Sequence, residues 1–427
     1  MAIETGKINT TAYNNAADSE IPINEGICAL MFEISGKYDV FGGYSLANNN
    51  FGNEKIQCIY NVVEAEQLGI QQYGLMAGIP YYHIKQYYDY IGKDWPLYVC
   101  FADGLNDSSE IFERLMIESN SSIFQIGIWT DTLGINKTAD KLTVSNIFQK
   151  YQSKAMVLNG SEETPSAYPS GVNVIVSAPM SNPMPSSDID YRKLPDITDL
   201  GYHKVSFLLG QDNDLETEKI YSVIGGEIHV GMIGLTLACL TLAYAEENIA
   251  CVGKFDLNKD DTLSDMCLVT GKSKVRISDM NQVQVSRLAA KGYIFPMIYE
   301  AKPGGVYLSS DSTMSDGDYN TISANRVIHK LRRVARRVLT PMINGRIMFN
   351  KDMAYLSDAT ITEITNNLNS AIDAYMVNPE GQEQIGGYMP VISNYQKNLK
   401  DDQLAIGFKL IMLESEEVIN FVEKYNI

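Results

Sequence analysis

The residues whose type and spacing best suit them to chemistry lie in VIHKLRRVARRVLTPMI, residues 327–343. Of the ten arginines in the 427-residue chain, Arg326, Arg332, Arg333, Arg336, Arg337 and Arg346 fall within 21 residues, with His329 and Lys330 among them. The chemistry of such a run is recognition, because guanidinium forks pair with carboxylates or phosphates through two parallel hydrogen bonds. At 100° per residue, Arg332, Arg336, His329, Arg333, Arg326, Arg337 and Lys330 share one face. Val327, Ile328, Leu331, Val334, Ala335, Val338, Leu339 and Met342 share the other, so the spacing predicts an amphipathic helix over 323–343. No carboxylate occurs between residues 319 and 351. Like charges at i,i+4 cost roughly a few tenths of a kcal/mol each, so the basic face needs an acidic counterpart. That counterpart is acidic residues elsewhere in the chain or an acidic partner surface; nucleic acid and anionic lipids stay open as well, although the apolar side lacks the Trp and Phe of an interfacial helix.

Other candidate chemistry is sparse. His83, His203, His229 and His329 are the only histidines, and none stands in HExxH, HxE or a cysteine-rich context. The chain has no GxSxG elbow, no GxxxxGK[ST] phosphate loop and no GxGxxG after a strand, so no catalytic residue and no cofactor is assigned. In DLNKDDTLSDMC, Asp256, Asn258 and Asp260 take positions 1, 3 and 5 of an EF-hand-like loop. Asp261 stands where glycine is required and Cys267 where a bidentate Glu is required, so this reads as an acidic turn and no metal is expected. The six cysteines form no CxxC pair and read as reduced, buried small hydrophobes.

A formal charge of −18 speaks against a general nucleic-acid binder. The N-terminus lacks the basic and apolar regions of a secretory signal, which points to synthesis in the cytoplasm. IHVGMIGLTLACLTLAYA, 228–245, is short for a bilayer span and carries two glycines and a histidine, so it reads as a buried core helix rather than a membrane insertion.

The elements that must position the basic helix follow from periodicity. Residues 1–20 are polar and aperiodic and read as an extended arm. From 26 to 210, predicted helices at 61–70, 79–91 and 108–119 alternate with predicted strands at 95–103, 122–131, 171–180 and 203–210. That alternation implies an α/β sheet covered on both faces. The pattern then predicts one long helix over 216–248, a short helix over 280–292, and two strands around a KPGG turn in 293–312. After the basic helix come a second helix, 360–378, and strands at 404–413 and 416–425. The fold class is α/β, α+β overall, with an outer domain at 21–200, an inner domain at 201–403 and a terminal strand at 404–427.

The succession GYIFPMIYEAKPGGVYLSSDSTMSDGDYNTISANRVIHKLRRVARRVLTPMINGRIMFNKDMAYL, followed by a helix, a glycine-rich turn, SNYQKNLKDDQLAIGFKLIML and EEVINFVEKYNI, resembles the contractile tail sheath proteins of myophage-type tails and contractile injection systems. The match covers residues 290–427 and is faint over 26–200. The resemblance implies a sheath-like C-terminal α/β domain, a more variable outer domain and extended terminal arms. It further implies a six-start helical homo-oligomer around an inner tube protein, bounded by baseplate and terminator proteins, made in the bacterial cytoplasm and contracting by rigid-body rearrangement. On this resemblance Arg332, Arg333, Arg336 and Arg337, with Lys330 and Arg326 beside them, would dock on the tube. The N-terminal arm with Ile8, Thr10 and Ala12, and the terminal strand with Ile419, Phe421 and Tyr425, would link neighbouring subunits. Two other readings stay open: another self-assembling coat or surface-layer protein, and an α/β enzyme whose residues the sequence does not reveal.

Overall fold

The computed structural model describes residues 26–34, 56–74, 78–138, 141–160, 171–180, 194–212, 214–223, 229–259, 266–270, 273–280, 282–299, 305–342, 355–377, 383–393, 403–413 and 418–426. Arg346 and the arm residues Ile8, Thr10 and Ala12 lie outside them.

The first half runs β1 (Cys28–Ile34), β2 (Ile56–Ile59), α1 (Val62–Gln67), α2 (Ile79–Ile91), β3 (Leu97–Asp103), α3 (Gly104–Glu118) and β4 (Gln125–Thr130). It continues with β5 (Ile135–Thr138), β6 (Lys141–Val144), α4 (Ile147–Asn159), β7 (Asn173–Ser177) and β8 (Val205–Leu208). Six of these strands form one sheet in the order β2, β3, β1, β4, β7, β8, parallel except for β2 against β3. Parallel strands need crossover connections, and α3 lies on the one from β3 to β4 and α4 on the one from β4 to β7. Strands buried on both faces carry no alternation, and β4 and β7 are buried throughout.

Next come α5 (Leu215–Val223), α6 (Ile233–Leu242), β9 (Cys267–Thr270), β10 (Ser273–Arg276), α7 (Gln282–Ala290), β11 (Pro296–Met297) and β12 (Tyr307–Leu308). The single helix expected over 216–248 is instead the two helices α5 and α6. The chain between them turns at Gly231, whose φ of 79° a side-chain-bearing residue rarely adopts. Helix α6 is apolar all round, and each residue from Ile233 to Thr241 is buried, as expected of a helix sealed inside a protein. Among the described residues no helix is long and apolar enough to cross a membrane. Gly127 on β4 and Gly234 on α6 allow the close approach. A Cβ on the first would lie 2.6 Å from Leu237 Cδ1, and one on the second 2.2 Å from the His83 carbonyl oxygen.

The last part contains α8 (Ile322–Leu339), α9 (Asp358–Ile372), which ends in a π-turn over Asp373–Val377, and a sheet of β13 (Gly387–Val391), β14 (Gln403–Ile411) and β15 (Val418–Asn426) in that order. Two apolar cores result. The larger surrounds the six-stranded sheet, and the smaller lies among α8, α9 and β14. β8 pairs with β7, so the six-stranded sheet continues past residue 200. Not all cysteines are buried. Cys251, in a turn, is exposed, and Cys58, on the edge strand β2, is half-buried.

Candidate assembly surfaces

Helix α8 starts where Thr321 leaves extended backbone and its hydroxyl accepts from the Ala324 N–H. That is the standard cap for an otherwise unsatisfied first-turn donor. Buried Asp311 accepts from the Ser323 hydroxyl at 2.7 Å and from its N–H. Desolvation raises its pKa, and the hydrogen bonds from Ser323 and the charge of Arg326 oppose that rise. The apolar stripe of Val327, Ile328, Leu331, Val334, Ala335 and Leu339 packs into the smaller core, so the helical period read from the sequence is the period observed.

The basic face, however, is not turned wholly outward. Arg326 is 1% exposed, and its Nη2 donates to the carbonyls of Ala243 at 2.8 Å and Leu240 at 3.2 Å. It thereby satisfies orphan carbonyls at the C-terminus of α6, where a positive charge also meets the negative end of the helix dipole. Lys330 is fully buried and donates to Gln384 Oε1 at 2.7 Å. Lys204 Nζ donates to Asn325 Oδ1 and lies 3.0 Å from His329 Nε2. His329 is held neutral, its pKa well below the usual imidazole value, first by burial and then by Lys204, Arg332 and Arg333. Exposure of Arg326 and Lys330 as docking residues is thus contradicted. The angular separation of polar and apolar residues shows that α8 has two faces. It does not show that the α/β body covers part of the polar one.

Arg332, Arg333, Arg336 and Arg337 are partly exposed. Arg332 Nη1 donates to the Asn159 carbonyl at 3.4 Å, Arg333 stacks over Phe124 at 4.2 Å, and Arg337 lies 5.7 Å from the Tyr375 ring centre. The first two therefore lean on the α/β body, and Arg337 leans on the turn after α9.

The second surface is the C-terminal sheet. On β14, Leu404, Ile406, Phe408 and Leu410 are buried, while Lys409 and Ile411 are exposed, the alternation of a strand covered on one face. Ile419, Phe421 and Tyr425 stand opposite Leu410, Phe408 and Leu404, in register with the buried row. Met389, Val391, Ile411 and Leu413 leave an exposed apolar strip on the other face. The strand β13, absent from the sequence reading, forms one edge of this sheet and β15 the other.

In doubly wound sheets the usual place for small-molecule chemistry is the crevice at the carboxyl ends of the strands. At the carboxyl ends of β4 and β7 the chain around Val230 packs against the sheet. The carbonyl of Val230 accepts from Trp129 Nε1 at 2.9 Å and pairs with His83 Nε2 at 2.8 Å, and Gln211 Oε1 accepts from the Val230 N–H at 2.6 Å. Ser177 Oγ and His229 Nε2 are 3.3 Å apart, but both residues are buried, and burial drives the His229 pKa down to about 3. Such an imidazole is a poor base for serine near neutral pH. Asp256, first in the EF-hand-like loop, accepts from the N–H groups of Asn258 and Val306 and from the Tyr307 hydroxyl, so it serves as a turn brace. Among the described residues no three His, Cys, Asp or Glu side chains converge as a metal site.

Taken together, the architecture is an α/β body carrying a capped basic helix and a terminal three-stranded sheet, with helices and mixed sheets as the sequence implied. No family model and no curated protein matches the sequence. Among solved structures, a sheath tail protein from Listeria innocua matches over 98% of both chains at 9% identity and a TM-score of 0.50. A sheath tail protein from Desulfitobacterium hafniense matches over 96% of this chain and 98% of its own at 11% identity, with a TM-score of 0.45. A chain of the anti-feeding prophage baseplate matches over 95% of this chain and 90% of its own at 10% identity, with a TM-score of 0.46. The fold is therefore that of the Listeria sheath tail protein, and the likeness runs over nearly the whole chain.

Proposed function

We propose that the chain is a non-enzymatic structural subunit of a contractile tail sheath, which polymerises with copies of itself around an inner tube and contracts by rigid-body rearrangement. The observation that carries this is the correspondence of fold over 98% of both chains with the Listeria sheath tail protein.

Physical argument supplies the assembly mode. A strand on a sheet edge offers unpaired N–H and C=O groups to another chain, and both β13 and β15 are edges among the described residues. Contacts between unlike surfaces that do not close a ring generate an open helix. The tube-facing residues are Arg332, Arg333, Arg336 and Arg337, the four partly exposed arginines of α8. The partner surface is acidic, and the N-terminal arm with Ile8, Thr10 and Ala12 links subunits.

The test is negative-stain electron microscopy of the purified chain alone and with its cognate tube protein, over a range of concentration and salt. Hollow, helically striated tubes are expected. Flat or closed shells would favour the coat or surface-layer reading, and a small defined oligomer under all conditions would overturn assembly altogether.

A further inference from the structure

Two buried amides of the six-stranded sheet stand apart from their surroundings. Gln125, at the start of β4, is 0% exposed, and Asn173, at the start of β7, is 1% exposed. Among the described residues, neither the oxygen nor the nitrogen of either side-chain amide has a hydrogen-bond partner. A buried polar atom left without one bears its full desolvation cost, so each of the four atoms calls for a partner. A strand buried on both faces would take leucine or valine at such positions, so packing alone gives no reason for two amides.

The register brings them together. Gln125 pairs with Asn173 across β4 and β7, and Cys28 of β1 stands on the other side of Gln125. Registered residues of parallel strands point to the same face, and the alternation along each strand tells which face that is. Trp129 stacks on His229 and Ser177 Oγ lies 3.3 Å from the same ring, each of them four residues beyond its amide. A Cβ on Gly127, between Gln125 and Trp129, would meet Leu237 of α6. The amides therefore lie on the face that α6 covers. Cys28 Sγ is 3.4 Å from Thr241 Oγ1 in the last turn of α6, and the charge of Arg326 acts on the Cys28 thiol. The pair thus sits near the joint where α8 grips the end of α6, at the amino ends of the strands and away from the carboxyl-end crevice.

We propose that Gln125 and Asn173 form an internal hydration site, in which ordered water bridges the two amides. Neighbouring strands run about 4.8 Å apart, and glutamine carries its amide one methylene further from the sheet than asparagine, so the two amides end at different heights. A water molecule with hydrogen bonds of about 2.9 Å to each spans that offset. The chemistry of the pair selects water over an ion. Each amide offers an acceptor oxygen and a donor nitrogen, an anion would serve the nitrogens alone, and a metal cation the oxygens alone. Water donates and accepts, and a buried water molecule typically makes about three such bonds. The site is independent of the sheath reading.

The test is a high-resolution crystal structure of the full chain, repeated on crystals soaked in sodium bromide. A density peak within hydrogen-bond distance of both amides, with no anomalous signal from bromide, is expected. Direct contact between the amides, no peak beside them, or a bromide signal at the site would each overturn the proposal. Urea unfolding of Gln125→Leu, Asn173→Leu and the double variant gives a second reading. Either single change should raise the unfolding constant about tenfold, because it leaves the other amide and its water short of a partner. The double change should raise it no further, since no amide is then left unserved. A rise of about a hundredfold in the double variant would show two independent amides and overturn the bridge. Should a variant fail to fold, the crystal structure of the parent chain decides alone.

Discussion

Replacing Arg326 by methionine separates the internal role of the basic helix from its external one. Methionine keeps the apolar stem and removes the donors that serve the Leu240 and Ala243 carbonyls. Hydrogen bonds from a charged group contribute about 1.5–3 kcal/mol each, and the two carbonyls stay buried without that partner. Relief of the cost of burying a guanidinium offsets part of the loss, so the net destabilisation should be about 2–4 kcal/mol. Arg337→Met, at a partly exposed site against the Tyr375 ring, should change stability by less than about 1 kcal/mol. Urea unfolding followed by tryptophan fluorescence reads both, since Trp129 is buried in the body to which Arg326 is tied. Co-sedimentation with the tube protein should reverse the order: Arg337→Glu loses tube binding while folded Arg326→Met retains it. Unfolding midpoints that coincide for Arg326→Met and Arg337→Met would refute the reasoning.

Gly234→Ala should destabilise by about 3 kcal/mol or more, because its Cβ would meet the His83 backbone, which cannot move aside as a side chain could; thermal melts should show Gly253→Ala, where only Cys251 Sγ comes near at 3.9 Å, close to the parent. Burial lowers the pKa of His83 to about 4, of His203 to about 4 and of His229 to about 3, from an ordinary value near 6.5. The unfolded chain then binds more protons than the folded one below pH ~6.5, so stability from these groups is intact above that pH and lost on acidification towards pH ~4. Unfolding midpoints at pH 7.5, 6.0 and 5.0 check this, and a flat profile would contradict it. Deleting residues 1–20 should leave a folded chain that no longer polymerises, as read by sedimentation velocity.

Much of the fold was legible where one period ran uninterrupted. IPYYHIKQYYDYI is the helix α2 from end to end because Gly78 and Gly92 sit at its boundaries with φ of 91° and 68° and nothing inside breaks it. The central strand β1, CALMFEI, was missed: strands buried on both faces lose the alternation that marks a strand. The site was legible in part. The 100° wheel separated the two faces of α8 correctly, yet it could not place Arg326 and Lys330 inside, because burial of a cation depends on acceptors distant in sequence. Leu240, Ala243 and Gln384 supply those acceptors, and only tertiary structure brings them near. Lys204, the partner of His329 and Asn325, gave no signal at all.

The Arg326 contact also has a mechanical meaning. Helix α8 is anchored on one side among α9 and the terminal sheet, and on the other it grips the end of α6, which lies against β1, β4 and β7. A pull on the helix is therefore delivered to the middle of the large sheet rather than to a pliant connection. The two cores are thereby coupled through a single buried guanidinium.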